Sequence, residues 1–336
     1  MNFLADHPVV VAPMAGGPTT PALVLAAARA GSVGFLAAGY KSVEAVASEL
    51  ALLASSGRPH GLNIFVPTGP ADPEPLERYR KELQEEADRY DVELPPLRRK
   101  DDDAFDAKVE LAVDAAPPFV SFTFGMPSAR VVRALQVAGS KVLVTVTDAH
   151  EAREALSVGA DALVVQGGQA GGHASTTRAD RYTGTRSTAD VLHEVRTITE
   201  VPLVAAGGVG TAADVAALLG AGATAVQSGT RFLPAEEAGT RPAHLAALLA
   251  RDGRETVVTR AFTGQPARAL RNRFTDAHSP TAPLGYPAIH HLTAPIRAAA
   301  ARLGDTDALN LWAGTGYQHA EHGTTQQILE ALDPRT

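Results

Sequence analysis

The chain has 336 residues, of which 45% are hydrophobic and 20% are charged. This composition supports a large apolar core and excludes a disordered chain. Lys plus Arg number 30 and Asp plus Glu number 37, so the net charge of −7 argues against nucleic acid as the main partner. The absence of cysteine excludes disulfides, thiolate metal sites and a cysteine nucleophile.

No stretch of the sequence reaches the ~18 consecutive apolar residues of a membrane span. The start, MNFLADHPVV, lacks the charged and apolar regions of a signal peptide. From these features we expect a cytoplasmic protein without membrane contacts. The length fits one large domain or two ordinary ones, and a (β/α)8 barrel of roughly 250 residues with an appendage agrees with it.

Eight short apolar runs, each followed by small or polar residues, predict strands in the first 235 residues. In chain order, the runs begin at Pro8, Ser32, Gly61, Phe119, Lys141, Asp161, Pro202 and Thr224. Runs without strict alternation are typical of parallel strands that are buried on both faces. Between most of them lie Ala- and Leu-rich stretches with helical spacing, several of which begin with Ser, Thr or Asp and end with Gly. This alternation predicts an α/β protein with a (β/α)8 TIM barrel, and a doubly wound open sheet is the alternative.

Two regions interrupt the alternation and predict the domain organisation. Residues 67–118 contain the charge-dense block EPLERYRKELQEEADRYDVELPPLRRKDDD, which fits either a lid over the barrel mouth or a surface insertion without a role. Beyond the eighth strand the pattern is helical to about residue 305. We therefore expect a barrel over 1–235 that includes the insertion, a small, mostly helical cap or substrate domain over 236–304, and a C-terminal helical segment over 305–336 that returns to the barrel.

The carboxyl ends of the strands carry the functional residues of a parallel barrel. In this chain those ends are rich in small residues and poor in charge, which suits a large planar ligand that lies close to the backbone. The loops after the seventh and eighth strands, 205–211 and 227–230, have the composition and position of a barrel phosphate site, where amide N–H groups hold an anion. Tight turns alone would also explain their glycines.

A dinucleotide fingerprint competes with this interpretation. Gly208, Gly210 and Ala213 fit the pattern G-x-G-x-x-A. That fingerprint expects an early strand and an acidic residue about 20 positions later. Here the strand is the seventh and residues 227–230 contain no acidic side chain, so a mononucleotide phosphate is preferred.

His173 is the main catalytic candidate. It ends the glycine-rich loop QGGQAGGH at 166–173, which follows the sixth predicted strand. A general base for a carbon acid needs a pKa near the working pH and a place beside the substrate. His319 and His322 are one helical turn apart, but no carboxylate-rich set completes a metal site, so no metal is expected.

Several segments together resemble those of the nitronate monooxygenases. In order, they are APMAGG at 12–17, GLNIF at 61–65, FTFG at 122–125, the loop at 166–173, AAGG at 205–208, SGTRF at 228–232, ALRNRF at 269–274 and LWAG at 311–314. Their order and spacing carry the resemblance more than any single motif. The resemblance implies an FMN-dependent barrel that oxidises alkyl nitronates, or nitroalkanes, with molecular oxygen and without a metal.

The resemblance also implies roles for individual residues. His173 corresponds to the active-site histidine of the family, which would hold a nitronate or first remove the α-proton of a nitroalkane. The resemblance implies that Met14 and Asn63 lie against the flavin and Gln166 near its ring, and that the phosphate is surrounded by Gly207, Gly208, Gly229 and Thr230. The strand ends add six further cofactor-binding candidates, which are Pro13, Ala15, Gly171, Gly172, Gln227 and Ser228. The implied partners are a small-molecule substrate and oxygen, and a homodimer is left open.

Four residues at three sites depart from the family pattern. Gln169 stands where the family often has Glu, Thr123 where a histidine is frequent, and Ala174-Ser175 in place of a basic pair. A missing carboxylate near His173 is expected to lower the basicity of its imidazole and to favour nitronate over nitroalkane. These departures bear on the substrate more than on the cofactor.

Other functions fit parts of the pattern. An FMN-dependent enoyl-[acyl-carrier-protein] reductase shares the Gly-Gly-His loop and would need a nicotinamide donor and an acyl channel. The related inosine-monophosphate dehydrogenases need a cysteine nucleophile, which is absent here. A phosphosugar isomerase or lyase would place Lys, Glu or Asp at several strand ends, where this chain has almost none. A non-catalytic binding barrel is the remaining alternative.

Overall fold

The computed structural model describes residues 6–335. Residues 1–5, which begin the MNFLADHPVV segment, and Thr336, the end of the expected C-terminal segment, lie outside the described residues. No helix within 6–335 is long and apolar enough to cross a membrane.

Eight parallel strands form the barrel that the sequence predicts. The strands are β1 (Val9–Val11), β2 (Phe35–Ala37), β3 (Gly61–Phe65), β4 (Phe119–Thr123), β5 (Lys141–Val146), β6 (Ala162–Gln166), β8 (Leu203–Ala206) and β9 (Ala225–Ser228), while the short β7 (Gly172–His173) lies outside the barrel. Their order is β1-β9-β8-β6-β5-β4-β3-β2. A parallel bridge between Val11 and Gly34 joins β1 to the start of β2. The barrel is therefore nearly closed, which excludes the open doubly wound sheet.

Burial on both faces explains why these strands appear in the sequence as continuous apolar runs. Every residue of β1, β2, β3 and β8 is buried. One face of each strand packs against the surrounding helices and the other packs inside the barrel. The barrel interior is filled by Val10, Val33, Phe35, Phe119, Leu143, Ala162, Val164, Val204, Ala206 and Ala225.

Helices cover the outside of the barrel. They are α1 (Pro21–Arg29), α2 (Val43–Ala54), α5 (Phe105–Ala115), α6 (Ala129–Ala138), α7 (Ala149–Ser157), α8 (Thr188–Arg196) and α9 (Ala212–Gly220). Except for α5, each begins after a Ser, Thr or Asp whose side chain accepts a hydrogen bond from an amide of the first turn. Although α5 lies in the insertion at 67–118, after the charged block, it contacts α2, α6 and β3 and so belongs to the ring of barrel helices.

A second layer contains the charged block together with the segment after β9. The block supplies α3 (Pro73–Glu82) and α4 (Gln84–Arg89), and the later segment supplies α10 (Pro242–Leu249), α11 (Arg273–His278) and α12 (Ala288–Leu303). Both segments contribute to one buried cluster, which includes Leu76, Tyr79, Leu83, Phe262, Phe274, Ile289 and Leu292. At the end of the chain, α13 (Thr325–Leu332) contacts α1 and α9 on the barrel.

A small antiparallel sheet, which the sequence does not predict, connects this layer to the barrel. Strand β10 (Thr256–Thr259) pairs with β11 (Ala267–Leu270), and β11 pairs with β7, so that Ala267 lies opposite His173. These strands have two to four residues, which is too short for hydrophobic periodicity to reveal. The sheet attaches the end of the glycine-rich loop to the second layer.

A buried ion pair joins the two segments of the second layer. Glu86 on α4 is 4% exposed, and Arg273 on α11 donates to both of its carboxylate oxygens, with Nη2 lying 2.9 Å from Oε2. Nε2 of His278 lies 3.7 Å from Oε1 of Glu86. Burial alone would raise the pKa of Glu86, but His278 and the Arg273 guanidinium outweigh it and lower the pKa to about 2.

We expect Glu86→Gln to lower the free energy of unfolding by about 2 kcal/mol at pH 7, because the Arg273 charge loses its partner. This loss is smaller than that for a fully buried ion pair, since the Arg273 side chain is 30% exposed. The folded-state pKa of Glu86 is depressed, so its contribution is complete above the ordinary value of 4.5 and disappears as the pH falls toward 2. Urea unfolding at pH 7 and pH 3 measures both effects. The control is Glu85→Gln, whose side chain is 85% exposed. If Glu86→Gln lost the same free energy of unfolding at pH 7 and at pH 3, the lowered pKa of Glu86 would be contradicted.

Candidate active site

A cavity of about 720 Å³ lies at the carboxyl ends of the barrel strands, within the size range of cofactor and small-molecule sites. All fourteen residues selected from the sequence line it. They are His173, Pro13, Met14, Ala15, Asn63, Gln166, Gly171, Gly172, Gly207, Gly208, Gln227, Ser228, Gly229 and Thr230. The structure therefore brings the whole set together around one cavity.

The charged side chains of the cavity are all positive. Arg241, Arg297 and Arg302 line it, whereas its described lining contains no Asp, Glu or Lys. The whole chain has a net charge of −7, so this is a local reversal of charge. A cavity with guanidinium groups and without carboxylates favours anionic ligands.

The loops after β8 and β9 present unpaired donors to the cavity. Gly207 and Gly208 have φ values of +117° and +77°, which glycine adopts without strain. Within residues 6–335, the N–H groups of Gly208 and Gly229 donate no hydrogen bond, and Oγ of Ser228 is buried without a partner. Because a buried polar group without a partner costs free energy, these groups are suited to bind an anion between the two loops.

The LWAG segment at 311–314 covers one side of these loops. The N–H of Gly314 donates to Oγ1 of Thr230 at 3.0 Å. A Cβ added to Gly171 would lie 2.4 Å from the backbone nitrogen of Gly314, so this close backbone contact requires glycine at position 171. Two segments that are far apart in the sequence thus shape one wall of the cavity.

Gln166 fixes the backbone that carries His173. Its Nε2 donates to the carbonyl oxygen of His173 at 3.0 Å, and its Oε1 accepts from the N–H of Ser175 at 2.8 Å. Asn63 also has chain partners, because its Nδ2 donates to the hydroxyls of β4, among them Thr123 at 2.9 Å. Within residues 6–335, the Oδ1 atom of Asn63 accepts no hydrogen bond.

His173 lies against an aromatic wall. The centroids of Phe124, Tyr286 and Trp312 lie 5.4, 5.9 and 5.3 Å from the imidazole centroid. Phe124 has a φ of +76°, which is uncommon for a residue other than glycine, and its N–H donates to Oγ of Ser175. The three rings therefore give the imidazole apolar neighbours.

Burial and, second, the positive charge of Arg297 lower the pKa of His173 to about 3. The imidazole is therefore neutral near pH 7, with one ring nitrogen as a donor and the other as an acceptor. Its Nε2 lies 2.9 Å from Oγ1 of Thr263, which is also 3.3 Å from the carbonyl oxygen of Gln265. The Thr263 hydroxyl has one proton, so the acceptor that it chooses decides which nitrogen of His173 carries hydrogen.

The sequence predicts a weakly basic His173 and attributes this to Gln169. In the structure, Oε1 of Gln169 accepts from the N–H of Thr188 at the start of α8. The lowered pKa of His173 has other causes, namely burial and Arg297. Neither cause can be deduced from the glycine-rich loop alone.

Helix α12 supplies cavity residues that lie outside the set predicted from the sequence. His290, Ala294, Arg297 and Ala301 line the cavity at spacings of three and four, so they form one face of the helix. His290 also stacks on Tyr40 at a centroid distance of 4.3 Å. A histidine and an arginine on one helical face with two alanines would have been a usable sequence signal.

Comparison with known proteins supports a family assignment. A family model described as nitronate monooxygenase matches residues 1–334. The chain belongs to the nitronate monooxygenase family. A probable nitronate monooxygenase of Staphylococcus saprophyticus is 31% identical over 331 residues, covering 96% of this chain and 93% of the relative. Another from Staphylococcus aureus strain Newman is 30% identical over 315 residues, covering 92% and 88%.

Solved structures agree with this assignment. The nitroalkane oxidase from Streptomyces ansochromogenes has a TM-score of 0.95 and 42% identity, covering 98% of this chain and 95% of that chain. FabK from Thermotoga maritima has a TM-score of 0.73 and 24% identity, covering 98% and 93%, and shares the fold. The chain is therefore an oxidoreductase of the nitronate monooxygenase type, as the sequence predicts, and its family indicates a flavin cofactor.

We expect His173 of this nitronate monooxygenase family member to stay neutral at pH 5, because its pKa of about 3 lies below the ordinary 6.5. Nitrogen NMR of histidine-labelled protein between pH 5 and pH 8 measures this directly. The signals that disappear in His173→Gln identify the residue, and the exposed histidines serve as internal references. A titration midpoint above pH 5 would show that the imidazole is better solvated than the structure indicates.

Proposed function

We propose that this protein oxidises alkyl nitronates with molecular oxygen, uses FMN as its flavin, and binds the substrate beside His173. One observation carries the proposal: a single cavity joins His173 to two loops with free amide donors, and its charged side chains are all arginines. Both the cofactor and the substrate are anions, so this charge suits them. The name of the nitroalkane oxidase at 42% identity supports a nitro compound as the substrate.

The loops after β8 and β9 fit a mononucleotide phosphate. Gly207, Gly208, Gly229 and Thr230 would surround the phosphate, and the unpaired Oγ of Ser228 would donate to it. The remaining contacts would come from Pro13, Met14, Ala15, Asn63, Gln166, Gly171, Gly172 and Gln227. When bound, FMN supplies the electron-transfer and oxygen chemistry, while the chain supplies binding, orientation and polarity.

The helix start that would receive a dinucleotide is already used by the protein. The carboxylate of Asp214 accepts from the N–H groups of Gly210 and Thr211 at 3.0 and 2.8 Å, and it completes a capping box at the start of α9. A Cβ on Gly210 would lie 2.6 Å from the His319 ring, so packing also explains this glycine. These contacts favour the mononucleotide.

The neutral imidazole of His173 favours the nitronate over the nitroalkane as the substrate. A base with a pKa of about 3 is poorly matched to removing a proton from carbon near pH 7. Nδ1 has no partner within the described residues, so it is left to meet the substrate, while Thr263 holds Nε2. His173 would then orient a substrate that arrives already deprotonated.

We also propose the domain roles expected from the sequence: a flavin-binding barrel over 1–235 and a cap over 236–304 that closes the substrate side. Their support is the face of α12 in the cavity and the pairing of β7 with β11. The C-terminal segment 305–336 would return to the barrel through α13. The homodimer and the cytoplasmic location stay predictions from the sequence.

We expect the purified protein to contain FMN and to consume oxygen on addition of ethylnitronate. His173→Gln should keep the flavin and lose about 100-fold or more in kcat/KM, because the reacting group loses its partner. Chromatography of the released flavin and an oxygen electrode measure the two properties. The exposed His322→Gln, outside the cavity lining, is the matched control. Full activity in His173→Gln would remove this residue from the mechanism.

We expect Gly229→Ala to weaken FMN binding by about 10-fold or more while leaving the fold intact. Gly229 has a φ of −113°, and a Cβ there would meet only ordinary contacts, at 3.4 Å from Ala12 and 3.6 Å from Met14. A phosphate held by this loop would meet the added methyl group. Gly220→Ala, where a Cβ meets nothing within 4 Å, is the control. Fluorescence titration of apoprotein with FMN measures the affinity, and unchanged binding would place the phosphate elsewhere.

Anaerobic mixing of the holoenzyme with NADH tests the enoyl-[acyl-carrier-protein] reductase alternative. We expect the flavin to stay oxidised, because nothing in the proposed reaction uses a nicotinamide donor. Absorbance near the visible flavin maximum is the measurement. Rapid bleaching by NADH would contradict the nitronate oxidation proposed here and favour the reductase.

A further inference from the structure

Helix α12 carries a buried arginine into the cavity without a carboxylate to balance it. Arg297 is 6% exposed and lines the cavity. It forms no ion pair with any carboxylate in the described part of the chain. A buried guanidinium without a counter-ion is costly, and such a group in a cavity is a candidate for ligand binding.

The chain itself holds the guanidinium of Arg297 in one orientation. Its Nε donates to Oγ1 of Thr293 at 3.1 Å, and its Nη2 donates to the carbonyl oxygen of His290 at 2.7 Å. The Thr293 hydroxyl in turn donates to the carbonyl oxygen of Phe262. The third nitrogen, Nη1, has no acceptor within residues 6–335, so it is the atom that can meet a ligand.

Arg297 is the arginine whose charge acts on His173. Burial lowers the pKa of Arg297 to about 10, which leaves it charged near pH 7. Burial and Arg297 lower the pKa of His173 to about 3, and burial, Arg297 and its histidine neighbours lower that of His290 to about 2. Both imidazoles are therefore neutral, and Arg297 alone among these three groups distinguishes an anion from a neutral molecule.

We propose that Nη1 of Arg297 binds a nitronate oxygen and that this contact makes the site select the nitronate over the neutral nitroalkane. The inference rests on the function proposed above and adds the residue that distinguishes the anionic substrate from the neutral one. A nitronate differs from its nitroalkane by one proton on carbon, and its negative charge lies largely on the two oxygens bound to nitrogen. The two molecules have nearly the same shape, so a cation is the feature that separates them most strongly.

The first experiment measures kcat/KM of the holoenzyme for ethylnitronate and for nitroethane. We expect Arg297→Gln to lower the value for ethylnitronate about 100-fold, mainly through KM, and to change the value for nitroethane less than about threefold, because a charge-assisted contact is lost only with the anion. Arg297→Lys keeps the charge and should recover the ethylnitronate value to within about tenfold. The control Arg133→Gln removes the same charge from an exposed site on α6, outside the cavity lining, and should change neither value. An equal loss on both substrates would overturn the proposal.

The second experiment measures binding without turnover. Nitrate is a planar oxyanion that resembles the nitronate group, and calorimetry with the holoenzyme gives its affinity. We expect wild type and Arg133→Gln to bind nitrate equally and Arg297→Gln to bind it about 100-fold more weakly, with the same flavin content per chain. If Arg297→Gln instead releases the flavin, the guanidinium serves the cofactor and the proposal is wrong.

If Arg297→Gln does not fold, the wild-type protein and Arg297→Lys still test the contact between Arg297 and the nitronate. Nitrate should then compete with ethylnitronate in wild type, and kcat/KM should be higher for ethylnitronate than for nitroethane. A preference for nitroethane, or no competition by nitrate, would overturn the role of Arg297. If wild type oxidises neither substrate, the proposed function fails, whereas nitrate calorimetry still reports whether Arg297 binds an anion.

Discussion

The position of His173 depends on hydrogen bonds that clamp the end of the glycine-rich loop. The Nε2 and Oε1 atoms of Gln166 form hydrogen bonds with the backbone on either side of Ala174. The antiparallel pairing of β7 with β11 gives the loop end a further attachment. On the other side of the loop, Gly171 packs directly against the backbone of Gly314. A loop rich in glycine would otherwise be mobile, so these contacts convert it into a fixed support for one imidazole.

The same support makes His173 a different chemical group from a histidine in water. Once the imidazole is fixed between aromatic rings and near a buried guanidinium, its protonated form is disfavoured by burial and by like charge. Positive charge is instead carried by arginine, whose protonated form survives burial because its ordinary pKa is so high. Hydrogen bonding and charge are thus divided between two side chains that come from different layers of the structure.

The second layer explains why this barrel carries two long additions. The charged block and the segment after β9 share one buried cluster, and the Glu86–Arg273 pair crosses between them. Neither addition covers its apolar side chains without the other. Together they hold α12 over the strand ends. His290 and Arg297 therefore line the same cavity as the barrel loops.

The sequence by itself determined the barrel and the set of residues around its mouth. Each barrel strand is a local apolar run. Parallel strands have their carboxyl ends at one edge of the barrel, so Gly207, Gly208 and Gly229, which come directly after β8 and β9, lie at that edge. Only the tertiary structure decided the β7–β11 pairing, the approach of Arg297 and the neutral state of His173. These features depend on contacts between segments about 90 to 120 residues apart and on burial, neither of which leaves a periodic pattern in the sequence.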